Sequence, residues 1–185
     1  MKFAPLALAL ALAACTSAPT LRFAVPPTTS AAERIGVSVG SVEVREVSLP
    51  LYAELETITI ESPEGELLRN ENLLWADDPT RAVTQGLADA LSSITRAQVA
   101  AEPWPLSDRP DARVEVRFSR ALAQADGTYN IAGQYFVASA SGERRDIARR
   151  FDISVPYAAG NAKAIAAAQG EAILQLARTI AKDGL

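Results

Sequence analysis

Glu71, Asp77 and Asp78 are the carboxylates that come closest to a reactive group, one able in principle to hold a cation or divide acid and base roles. Asp78, however, stands directly before Pro79 and is better read as a helix cap, and Asp77 is one position away and points elsewhere. The 185-residue chain has no histidine, which removes imidazole bases, Ser-His-Asp and Cys-His nucleophiles and His-bearing zinc sites. With 22 Asp+Glu against 18 Lys+Arg it also lacks the positive excess that a nucleic-acid surface needs. No catalytic residue, metal, cofactor or nucleic-acid partner is therefore expected, and the chain is read as not an enzyme.

One residue does carry covalent chemistry in this reading. The single cysteine rules out an intramolecular disulfide, and it closes a short leader: Met1-Lys2, an apolar run from Phe3 to Ala11 broken only by Pro5, then Leu12-Ala13-Ala14-Cys15. Residues 1–14 have the polarity of a secretory signal and are too short to span about 30 Å of hydrocarbon. The Leu-Ala-Ala-Cys ending resembles the bacterial lipobox, in which the thiol receives a diacylglyceryl group and the cysteine becomes the new N-terminus. At about 0.8 kcal/mol per buried CH₂, two or three acyl chains on Cys15 would hold the body on a membrane durably, where one would not. Thr16 follows, where an Asp often signals inner-membrane retention, so the periplasmic face of the outer membrane is expected.

The elements behind the anchor follow from periodicity. Residues 15–34 are rich in Pro, Thr, Ser and Ala and read as a tether with an edge strand at 21–25, stopped by Pro26-Pro27. If all of it were flexible, its r.m.s. reach would be about 25 Å. Residues 35–185 read as one domain. Ile35, Val37 and Val39 alternate, and the phase slips at Gly40-Ser41 to Val42 and Val44, which predicts a strand with a β-bulge. Leu49-Pro50-Leu51-Tyr52 breaks that strand, Leu55 to Ile60 is extended, and a turn at Pro63-Glu64-Gly65-Glu66 leads into a short strand at Leu67-Leu68. Val83, Leu87, Ala90, Leu91 and Ile94 then form the inner stripe of a helix, with Trp75 folded onto the sheet ahead of it. Residues 102–110 read as a loop, 112–155 as a three-stranded meander turning at Asp126-Gly127 and Ser141-Gly142, and 161–182 as a second amphipathic helix. The expected fold is α+β, a largely antiparallel β-sheet with two amphipathic helices packed on one face.

Two surface features could bind. Leu49, Pro50, Leu51 and Tyr52 make an apolar loop that serves either as a docking surface or as a buried corner. Arg144, Arg145, Arg149 and Arg150 surround the last strand. Arg145 and Arg149 share one face and could seat phospholipid phosphate or an acidic partner, while Asp146 and Asp152 are at hand to neutralise the group and leave it a solvated edge.

The ordered set resembles a known family. A lipobox, then Ile-Gly-Val-Ser-Val-Gly-Ser-Val-Glu-Val followed by Leu-Pro-Leu-Tyr, the segment Leu-Leu-Trp-Ala-Asp-Asp-Pro leading into a helix, a hairpin meander and the helix Ala-Ile-Leu-Gln-Leu-Ala-Arg-Thr-Ile-Ala are similar to the ABC-type transport auxiliary lipoproteins, the PqiC-like family. Leu21-Arg22-Phe23-Ala24-Val25 departs from the Tyr-x-Leu-like opening expected of that family. The resemblance implies an accessory lipoprotein at the outer membrane that docks an MCE-domain periplasmic protein of an ABC system moving lipids or other hydrophobic molecules. The chain has no P-loop, so ATP hydrolysis would come from a partner. A scaffold role in an efflux or secretion complex, or a stand-alone lipid-binding role, is the alternative, and the oligomeric state, a homo-oligomer included, is left open.

Overall fold

A computed structural model describes residues 19–27, 34–140, 142 and 144–185. Cys15, the signal segment and most of the Thr/Ser-rich stretch lie outside the described residues. In chain order the elements are β1 (Leu21–Phe23), β2 (Ser41–Val44), a 3-10 turn (Leu51–Ala53), β3 (Thr57–Glu61), β4 (Leu67–Trp75), α1 (Pro79–Ile94), β5 (Gln98–Ala101), β6 (Ala112–Ala123), β7 (Thr128–Ser139), β8 (Ile147–Pro156) and α2 (Ala162–Asp183).

The fold is α+β, as expected, and the sheet is mixed. Its long ladders, β3 with β4, β6 with β7 and β7 with β8, are antiparallel. Shorter parallel pairings join β1 to β4, β2 to β5 and β6, and β3 to β6. The sheet forks at β6. One edge of this twelve-residue strand meets β2 at Val42↔Ala112 through Val44↔Val114 and meets β3 only at Ile60↔Ala123, while its other edge carries all of β7. Three strands end the branches: β8, β5 and β1.

Both helices start where side chains satisfy free backbone N–H groups. The Asp78 carboxylate accepts from Arg81 N at 2.8 Å and Pro79 fills the first helical position, while the Asn161 side chain accepts from Ala164 N at 3.2 Å. Asp78→Ala is therefore expected to lower stability by about 1 kcal/mol, read as a shift in urea midpoint at constant slope. The apolar stripes of α1 (Val83, Leu87, Leu91, Ile94) and α2 (Ile165, Ile173, Leu176, Ile180) are buried together with Val42, Val44, Val114 and Val116 from the strands.

Four expectations are revised. Residues 35–39 do not pair in the sheet, and Gly40 joins it only through its carbonyl, which accepts from Gln98 N of β5 at 2.8 Å. The Asp111 carboxylate accepts from both Gly40 N (2.8 Å) and Ser41 N (2.9 Å), so strand pairing begins only at Ser41. Ahead of that point, Ile35 N donates to Ile94 O and Ser38 N to Leu185 O, which straps the segment across the ends of both helices. Strand β4 is nine residues long where only Leu67-Leu68 showed a strand pattern. Strand β5 occupies a stretch that carried no strand signal. Also, β1 is a sheet member paired over Leu21↔Leu73 to Phe23↔Trp75, so the reach of a fully flexible 15–34 segment does not apply beyond Thr20.

Candidate functional site

The carboxylates do not converge. Asp78 is spent on the cap, and the Asp77 carboxylate accepts from Asp78 N at 2.7 Å and from the Arg81 guanidinium. Glu71 is exposed on β4. No group of three potential metal ligands exists among the described residues.

The Leu49–Tyr52 loop divides. Leu49 is buried in the core and Leu51 is 77% exposed. Tyr52 is half-buried, its hydroxyl accepting from Ala121 N at 3.3 Å and its carbonyl from Thr59 Oγ1 at 3.2 Å. Pro50 caps the 3-10 turn. Leu49 and Tyr52 are thus a corner of the core, and Leu51 alone is offered to solvent.

The arginines keep their exposure. Arg145, Arg149 and Arg150 are all exposed, and Arg144 donates to Gly184 O at 3.2 Å. The neutralising carboxylates are engaged elsewhere: Asp146 accepts from Ser139 N at 3.2 Å and Asp152 from Asn130 Nδ2 at 2.7 Å. Among the described residues no carboxylate lies within ion-pair distance of any of these arginines, whereas six arginines elsewhere have such a partner.

Sequence reasoning missed a concavity beside the helices. A groove of about 250 Å³ runs between the segment after β1 (Phe23, Val25) and the two helices, with Trp75, Gly86, Gln169 and Ile173 among its lining. Gly86 on α1 faces Ile173 on α2 across it, close enough that a Cβ there would be in ordinary van der Waals contact with Ile173 at 3.7 Å. The rim charges are internally satisfied: Asp77 by Arg81, and Asp89, which accepts from Gln85 Nε2 at 2.8 Å. Behind Trp75 and Gln169 is a cavity of about 20 Å³, about one water molecule in size. The buried Thr57 Oγ1 and Gln169 Oε1, both on residues lining it, have no hydrogen-bond partner among the described residues. Burial, with a smaller contribution from Tyr52, pushes the Tyr129 phenol up, so its hydroxyl stays protonated there. Trp75 packs in the core, as expected, but also walls both spaces. The hint in sequence was Pro26-Pro27, which forces the chain off the sheet beside Trp75.

Comparison with known proteins adds a family and a fold. The model of the ABC-type transport auxiliary lipoprotein component family matches residues 20–181. None of the curated proteins matches the chain. Protein XCC0632 from Xanthomonas campestris has a similar crystal structure (TM-score 0.71, 18% identity, covering 88% of this chain and 93% of that one). So does an uncharacterised protein (TM-score 0.69, 16% identity, covering 86% of this chain and 96% of that one). At these identities the likeness concerns the fold alone.

Proposed function

Because the chain belongs to the ABC-type transport auxiliary lipoprotein family, whose members are accessory components and not enzymes, we propose that it is the outer-membrane accessory subunit of an ABC/MCE-type system. In this reading it is lipidated on Cys15, faces the periplasm and docks the MCE-domain protein through which lipids or other hydrophobic molecules pass. The observation that carries the reading is the order of parts: a lipobox cysteine, then within a few residues a body that matches the family along nearly its whole length. Among the described residues no helix is long and apolar enough to cross a membrane.

The anchor would hold the body close. Five residues lie between Cys15 and the start of β1, six residue steps that span at most about 22 Å even when fully extended. A partner must therefore meet the domain near the bilayer surface.

The groove bears on the stand-alone alternative. At about 250 Å³ it falls below the usual range of ligand pockets, about 300–1,000 Å³, and among the described residues its rim offers no free cation for a phosphate, since Arg81 is paired with Asp77. It would shelter a fragment of a lipid at most, which favours an accessory over a carrier.

Crosslinking in intact cells, followed by identification of what the lipoprotein captures, tests the proposal. An MCE-domain protein is the expected capture. Good recovery of the lipoprotein with only efflux or secretion components would sink the reading.

A further inference from the structure

Helix α2 turns one apolar stripe toward the core, and one residue on it does not suit its position. Gln169 is only 5% exposed, and the residues one turn before and after it on the same face, Ile165 and Ile173, are buried aliphatics. It is the single polar side chain among the buried residues of the helix. Its Oε1 has no hydrogen-bond partner among the described residues, and neither has Thr57 Oγ1 beside the same water-sized chamber. A buried amide left in this state costs stability that an unbranched apolar side chain at the same place would not. Packing alone therefore gives no reason for a glutamine here.

Gln169 also stands where two spaces meet. Together with Trp75 it lines both the chamber and the groove of about 250 Å³. One water in the chamber can serve Thr57 Oγ1 and part of the amide, whereas an amide offers two N–H donors and two oxygen lone pairs. What remains can be met from the groove, and the groove limits what can meet it. Phe23, Val25, Trp75 and Ile173 make its walls largely apolar. Its volume holds about eight groups of water or methylene size, at about 30 Å³ each. Its rim carries Asp77 and Asp89 against Arg81, which is already paired with Asp77, so a carboxylate or phosphate would meet net negative charge. A hydroxyl is small and uncharged and both donates and accepts, so it bonds the amide whichever way Gln169 is turned.

We propose that the groove binds one uncharged, unbranched aliphatic chain of about eight carbons ending in a hydroxyl, which hydrogen-bonds the Gln169 amide. Trp75 flanks the chain, and the segment after β1 closes on it together with α1 and α2. The site takes one short chain and not a two-chained phospholipid. It therefore stands apart from any passage of cargo and does not depend on the transport role.

Photocapture on the full-length protein in detergent tests this. The probe is 1-octanol carrying a diazirine in its chain, and octanoate with the same group is its charged counterpart at neutral pH. Labelling by the octanol probe is expected to saturate, to map to peptides that hold residues 23–27, Trp75 or the facing turns of α1 and α2, and to be displaced by plain 1-octanol. The octanoate probe should label about tenfold less or weaker still. Gln169→Met keeps the length of the side chain and removes the amide, so it should cut octanol capture about tenfold while melting at the wild-type temperature or above. Gly86→Leu, whose side chain must enter the groove beside Ile173, should abolish capture of both probes. Labelling that fails to saturate or scatters over the surface, equal capture of the two probes, or undiminished capture by Gln169→Met would each overturn the proposal. So would a Gln169→Met chain that melts several degrees lower, because the amide would then be spent on the fold.

Discussion

Replacing Cys15 by Ser is expected to abolish acyl incorporation and, wherever the leader is cut away, to leave the body without a hold on the membrane. A serine hydroxyl cannot form the thioether, so no diacylglyceryl group is added. The loss is large because the alternatives are weak. A single acyl chain binds only marginally, whereas two contribute about 0.8 kcal/mol for every buried CH₂, and removing them takes away essentially the whole attraction. No described helix can substitute as a span. The measurement is metabolic labelling with a clickable fatty acid, together with the mass of the N-terminal peptide. Label should fall to background in the variant, and the wild-type peptide should begin at an acylated Cys15. A wild-type peptide with a free thiol, or a variant that still takes up label, would refute the lipobox reading.

What was legible in the sequence depended on whether a segment has one wet face. The meander of β6, β7 and β8 was readable because Val114, Val116 and Phe118 alternate with Glu115 and Arg117, and the helix start at Asp78-Pro79 because a cap and a proline mark one position. Strand β4 was read short because Arg69, Asn70 and Glu71 are wet on both faces, so its pairing to β3 rests on backbone bonds that leave no alternation. Strand β5 was missed since Gln98-Val99-Ala100-Ala101 has weak strand propensity and is held by parallel pairing to β2. Side-chain pattern names a face and not a neighbour. That is also why the cross-strand pair of Glu43, only 6% exposed, with Arg113 at 2.7 Å was out of reach. The groove was hidden for a related reason. It is assembled from β1's tail and two helices, and nothing local to Gln169 or Gly86 says what they face. Of the candidate binding residues, Arg145 and Arg149 kept their exposure, whereas Leu49 and Tyr52 were absorbed by packing that the Leu-Pro-Leu-Tyr pattern leaves undecided.

Gly133→Ala is expected to destabilise the domain by about 3 kcal/mol, a large share of the 5–15 kcal/mol typical of a whole domain. In sequence Gly133 is one more alternating position of a strand. In the sheet it lies between Phe118 on β6 and Phe151 on β8, beside a register shift between Phe118 and Arg120. A Cβ there would be 2.1 Å from Arg117 O and 2.9 Å from Phe118 Cα. Both are backbone atoms, so no side chain can swing aside. The bulge itself must move, and with it the pairing that joins the fork of the sheet to its longest ladders. The two phenylalanine rings meet edge to face, with centroids 5.4 Å apart at 80°. This contact covers the backbone where the glycine has no side chain. Displacing β6 from β7 would pull those rings apart and open the buried surface beneath them, so close approach and aromatic cover fail together. Gly36→Ala supplies the contrast, because nothing lies within 4 Å of a Cβ at that position. It should change stability by no more than about 1 kcal/mol, and in the stabilising direction, through the unfolded chain. Urea unfolding of both variants beside the wild type decides the matter. A Gly133→Ala midpoint indistinguishable from that of Gly36→Ala would mean that the bulge yields freely and that the close approach does not constrain the fold.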